Sequence, residues 1–88
     1  MFRMWVKLKK DNHVLADTVI EDAGDSTRTA KVFAALEKAC RQFDLSVPIW
    51  LDVNIKDFQR AARTRFTADS FVEPIEFDFL EIRMIEED

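Results

Sequence analysis

Apolar and polar side chains alternate from the start of the chain. Between Arg3 and Lys9, Met4, Val6 and Leu8 share one parity, while Arg3, Trp5, Lys7 and Lys9 share the other. Successive side chains of a strand point to opposite sheet faces, so this period of two predicts a half-buried strand. Val14 to Glu21 predicts its partner. Asp11-Asn12-His13 is the turn between them, because Asp and Asn bond locally to the backbone and Asn tolerates positive φ. A two-residue loop at Asp11-Asn12 would set apolar Val6 against charged Asp17. A three-residue loop sets Leu8 against Ala16, Val6 against Thr18 and Met4 against Ile20. Its other face pairs Lys7 with Asp17, Trp5 with Val19 and Arg3 with Glu21. Opposite-charge and aromatic–branched pairs contribute roughly 0.2–1 kcal/mol each. The three-residue loop is therefore expected, with His13 or Asn12 left-handed.

The chain closes on a second alternation, which changes phase. Ile75, Phe77 and Phe79 share one parity, and Leu80, Ile82 and Met84 the other. This predicts a long strand over 75–85, burying one face at its start and the other at its end unless a bulge near Phe79-Leu80 resets it. Between the two alternating regions the period lengthens. Val32, Phe33, Leu36, Ala39, Cys40 and Phe43 recur at spacings of three and four, the stripe of an amphipathic helix. Asp25-Ser26-Thr27 supplies its caps. Pro48 to Leu51 predicts an edge strand or extended connector. Asp52 or Asn54 caps a second helix that buries Ile55, Phe58, Ala62 and Phe66. Thr67 to Glu73 is a loop anchored by Phe71. The order is β-β-α-(short β)-α-β. It implies one α+β domain over residues 1–88, a small, mainly antiparallel sheet (N-terminal hairpin plus long C-terminal strand) packed on two helices.

Composition fits this reading. The chain has 88 residues, 48% of them apolar, with eight Phe and two Trp. A chain of that size buries roughly 60–65% of its unfolded surface and supports one core. No window reaches the roughly 20 apolar residues of a membrane span. No membrane association is expected, and the alternating N-terminus lacks the apolar run of a signal peptide. A single cysteine makes no internal disulfide and points to a reducing, cytoplasmic setting. Thirteen basic and seventeen acidic side chains leave a net charge of −4, which disfavours nonspecific adhesion to polyanions.

Chemistry is sparse. His13, the one histidine, falls at a hairpin tip and reads as a turn residue. Cys40 falls on the apolar stripe and reads as a small buried hydrophobe, so the pair offers no zinc site. The single glycine excludes a glycine-rich phosphate loop, and no serine sits in a nucleophile elbow. Glu21, Asp22 and Asp25 lack the ligand spacing of a calcium loop. Glu86-Glu87-Asp88 reads as a frayed acidic end. No catalytic residue, metal or cofactor is assigned, and the chain is not expected to be an enzyme.

Two surfaces carry the candidate functions. Trp5 shares a face with Arg3, Lys7 and Lys9. If the helices cover only the opposite face, Trp5 is left beside Val19, where Phe77 or Phe79 could join it. Such an aromatic patch marks a protein-binding or self-associating surface; the bland reading is a small secondary cluster shielded by the Trp50 segment or by long Lys and Arg stems. The second candidate is the basic stripe Lys56, Arg60 and Arg63, with Arg65 close by, which would receive a phosphate backbone or an acidic partner. Its bland reading is a solvated helix face, and Phe58 and Phe66 on the apolar side give it no stacking platform.

Met4-Trp5-Val6-Lys7, Asp44-Leu45 with Pro48-Ile49-Trp50-Leu51, Arg63-Thr64-Arg65-Phe66 and Phe77 through Ile82 resemble stretches of a family of short, acidic, uncharacterised bacterial proteins. The resemblance covers most of the chain and implies no activity, cofactor or site residue. The expected function is a non-enzymatic protein-interaction or self-associating domain, with a protein partner or homo-oligomer. Nucleic-acid or phosphate contact through the basic stripe is the alternative.

Overall fold

The computed structural model describes residues 1–87 and shows an α+β fold. Asp88, the last residue of the acidic end, lies outside the described residues. Strands β1 (Phe2–Lys10) and β2 (His13–Asp22) form the hairpin, followed by helices α1 (Arg28–Gln42) and α2 (Asp52–Ala61). Strands β3 (Arg63–Phe66) and β4 (Phe79–Glu86) complete the chain, with a 3-10 turn at Ala68–Ser70 between them. The sheet is antiparallel in the order β2-β1-β4-β3. The short strand thus follows the second helix instead of preceding it. Pro48 to Leu51 is an extended connector, tied down where Ile49 N–H donates to the Ser70 carbonyl at 2.7 Å.

The hairpin adopts the expected pairs from Arg3–Glu21 to Leu8–Ala16. It reaches them differently. The loop is two residues, Asp11 at φ 52° and Asn12 at φ 66°, both in the left-handed region that tight hairpin turns require. Lys10 pairs with His13 and Lys9 with Val14, so Leu15 is an extra residue in β2. That bulge restores the charge-matched register which the tight turn alone would have shifted.

Helix α1 starts where Thr27 Oγ1 accepts from Ala30 N–H at 3.2 Å. Val32, Leu36, Ala39 and Cys40 bury against the sheet, as their spacing predicts. The helix is rotated enough to bring in Ala35 and Lys31, which turns Phe33 half into solvent. The inner sheet face supplies Met4, Val6, Leu8, Ile20, Phe66, Leu80 and Ile82, all buried.

Two elements depart from expectation. Helix α2 stops at Ala61, and Ala62 takes the left-handed conformation at φ 55°. Residues 63–66 then run as a strand, so Phe66 reaches the core from β3 while Ile55 stays 43% exposed on α2. The final strand begins at Phe79, not Ile75. Its neighbour β1 turns back at Asp11, so no strand is left beside residues 75–77 for them to pair with. Asp78 closes this end: its N–H donates to the Lys9 carbonyl at 2.8 Å, and its Oδ2 accepts from Asp11 N–H at 2.9 Å. Phe77, freed from strand geometry, packs edge-to-face on Phe71 in the core, with ring centroids 5.7 Å apart.

Candidate functional site

Both helices lie on one side of the sheet, α1 against β1 and β2, α2 against β3. Among the described residues no helix or strand covers the opposite side. Its side chains fall in cross-strand rows given by the register. One row runs Asp17, Lys7, Glu81, Arg65 from β2 to β3, alternating in sign across all four strands. Glu81 is buried, with Oε1 3.9 Å from Lys7 Nζ and 3.7 Å from Arg65 Nε. The adjacent row runs Val19, Trp5, Arg83, Arg63.

Trp5 is held in place. Its Nε1–H donates to Asp17 Oδ2 at 2.9 Å, and Lys7 Nζ lies 4.2 Å from the ring centroid. Arg65 likewise places its guanidinium 4.5 Å from the centre of Phe79. These are cation–π contacts, each stabilising by roughly 0.5–1 kcal/mol at exposed sites. Arg63 and Arg83 stand directly opposite one another, and neither has a carboxylate within ion-pair distance among the described residues. Like charges so placed are destabilising.

The two edges of the sheet differ. On β3, Asn54 of α2 reaches across, and its Nδ2 donates to the Arg65 carbonyl at 2.9 Å and to Thr64 Oγ1 at 3.0 Å. A backbone acceptor of that short strand is thereby occupied. Strand β2 has ten residues and, among the described residues, pairs with β1 alone, with Val14, Leu15 and Val19 each about half exposed. A long, apolar, unpaired edge is a template for another strand.

The structure thus redistributes the predicted site residues. Trp5, Val19 and Phe79 share the open face, but Phe77 belongs to the core and leaves that set. Lys56 and Arg60 lie on α2, whereas Arg63 and Arg65 lie on β3, so the basic stripe is not one helix face. Arg60, Arg63 and Arg65 instead border a polar depression of about 330 Å³, together with Asp57, Thr64 and Glu81. Sequence reasoning passes over Arg83, although its parity with Phe79 and Glu81 already assigns it to this face. It also treats Asn54 only as a cap, since nothing in the local pattern shows a polar side chain aimed at a distant strand.

On the helical side a groove of about 320 Å³ lies between α1 and α2, with Phe33, Trp50, Ile55 and Phe58 among its walls. Trp50 meets the rings of Phe33, Phe58 and Phe66 edge-to-face at 5.7, 5.8 and 5.0 Å. His13 is exposed beside the hairpin turn. Cys40 is fully buried, and burial pushes its thiol up to about 11. Such a thiol is a poor nucleophile at neutral pH. Among the described residues no helix is long and apolar enough to cross a membrane. The chain matches no family model, no curated protein and no solved structure.

Proposed function

We propose that this protein is a non-enzymatic interaction module that accepts a strand, from a partner protein or a second copy, along the free edge of β2. One observation carries the reading: among the described residues no strand pairs with the outer edge of β2, whereas on the other edge Asn54 takes up a backbone acceptor of β3. Strand addition draws affinity from main-chain hydrogen bonds and specificity from alternate side chains. On the open face β2 offers Asp17, Val19 and Glu21, a carboxylate, an apolar residue and a carboxylate. Strand β1 meets that series with Lys7, Trp5 and Arg3, including an Arg3 Nε–Glu21 Oε2 contact of 2.9 Å. The matching incoming strand repeats the motif, basic residues flanking an apolar or aromatic one. A cytoplasmic setting fits the unpaired Cys40 thiol.

The experiment pairs sedimentation velocity from 1 to about 500 µM with titration of a synthetic peptide of residues 2–10, the strand that β2 already recognises. The expected result is association in at least one arm, with amide protection gained along β2 and both effects reduced by Val19→Lys. A strict monomer that ignores the peptide overturns the proposal, as does association that Val19→Lys leaves unchanged.

A further inference from the structure

The open face also bears side chains that strand addition does not use. Arg3, Lys7, Lys9, Arg63, Arg65 and Arg83 project from it, against the carboxylates of Asp17, Glu21 and Glu81 and of Glu86 at its margin. The whole chain carries −4, yet this face is net basic. The charges are unevenly satisfied. Arg3 pairs with Glu21 and Glu86, and Lys7 and Arg65 share Glu81. Arg63 and Arg83 are paired across β3 and β4, and neither has a carboxylate within ion-pair distance among the described residues, the acidic groups on Arg63's side being Asp57 and Glu81 around the same depression. An anion between the two arginines would convert a repulsive cross-strand pair into a clamp, because a guanidinium offers a planar fork of donors suited to phosphate oxygens.

Trp5 makes this more than a bare anion site. It stands next to Arg83 in the same row, one strand spacing of about 4.8 Å away, with Arg63 one spacing further. Its indole is partly exposed, and Asp17 and Lys7 fix its orientation. An aromatic ring beside a pair of arginines on an uncovered antiparallel sheet combines base stacking with backbone neutralisation. The stacking platform that the basic stripe lacks on a helix is present once Arg63 and Arg65 are placed on β3.

We propose that the open sheet face binds single-stranded nucleic acid, with a phosphodiester held between Arg63 and Arg83 and a base laid against Trp5. The depression edged by Arg60, Arg63 and Arg65 continues the track past the edge of β3. The proposal rests on side chains of the face, not on the backbone edge of β2, so it stands or falls apart from strand addition.

Fluorescence anisotropy of labelled ten-nucleotide oligo-dT and oligo-rU, from 20 to 200 mM KCl, tests it. Neutralising two or three phosphates gives a slope of log K against log salt of about −1.4 to −2. Arg63→Ala and Arg83→Ala each flatten that slope by roughly 0.7. Both are also expected to keep or raise the melting temperature, because each removes a like-charge opposition, so lost binding cannot be misread as unfolding. Trp5→Leu weakens binding roughly 5- to 150-fold with the salt slope unchanged. Lys38→Ala, on the far side of α1, changes nothing. No binding at 20 mM KCl overturns the proposal. So does a slope indifferent to Arg63→Ala and Arg83→Ala, or equal binding of an oligo-glutamate peptide of matched length.

Discussion

Asn54 is the most exacting test of how this fold is held. It is 1% exposed, and its amide spends both ends. Oδ1 accepts from Leu51 N–H at 2.9 Å, at the start of α2, while Nδ2 donates to Thr64 Oγ1 and to the Arg65 carbonyl. The partners dictate the orientation of the amide, since only an oxygen can face an N–H and only an NH2 a carbonyl. Asn54→Ala removes all three bonds. Each is worth about 0.5–1.5 kcal/mol net, and more where the stranded group stays dry. Thr64 retains a contact to Asp57 Oδ2 at 3.4 Å, so the main losses fall on Leu51 N–H and the Arg65 carbonyl. The expected cost is about 2–4 kcal/mol, a large share of the roughly 4–13 kcal/mol typical for a domain of this size. Urea unfolding with a shared m-value measures it. Asn54→Asp should be no better than Asn54→Ala, because its second oxygen would meet the Arg65 carbonyl. A double-mutant cycle with Thr64→Val isolates the side-chain bond, with a coupling of about 0.5–1.5 kcal/mol. A loss below about 0.5 kcal/mol for Asn54→Ala, or an Asn54→Asp variant as stable as wild type, would refute this account of the α2–β3 joint. Opening that edge should also add a second route to self-association, seen as faster sedimentation at high concentration.

Three further outcomes are expected. Ala62→Gly should stabilise by about 0.5–1 kcal/mol in urea unfolding, because Ala62 sits at φ 55°, where a side chain is strained and glycine is not. Glu81→Ala leaves Lys7 and Arg65 without their shared carboxylate, so it should lower stability by about 1–2 kcal/mol while strengthening oligonucleotide binding on the same face. For Cys40 the pH dependence has a definite sign. Burial raises the folded thiol from 9.0 to about 11, so the unfolded chain gives up this proton first. Its contribution is intact below about pH 9 and is lost as pH rises from there towards 11, by about 2–3 kcal/mol in all. Cys40→Ala should flatten that alkaline limb. In the native wild type, the thiol should react with an alkylating agent only at the rate of unfolding.

Local chemistry by itself determined the hairpin register and the α1 stripe. Lys7 against Asp17, Arg3 against Glu21 and the alternation of Met4, Val6 and Leu8 are short-range matches, and only one register satisfies both faces. Val32, Leu36, Ala39 and Cys40 bury on one helix face because their spacing permits no other shared side. Tertiary structure decided the rest. Residues 75–78 alternate as a strand should, yet a strand extends only as far as its neighbour, and β1 turns away at Asp11. Arg60 to Phe66 reads as a continuing helix, since Phe58, Ala62 and Phe66 keep the period. It breaks where the Arg65 carbonyl accepts from the Asn54 side-chain amide and the Ala62 carbonyl accepts from Met84 N–H, groups separated from them by many residues. The same break moved Arg63 and Arg65 onto the open face, in rows with Arg83 and Trp5. Periodicity reports which side chains share a face of one element. Which elements share a face of the molecule is set by long-range pairing.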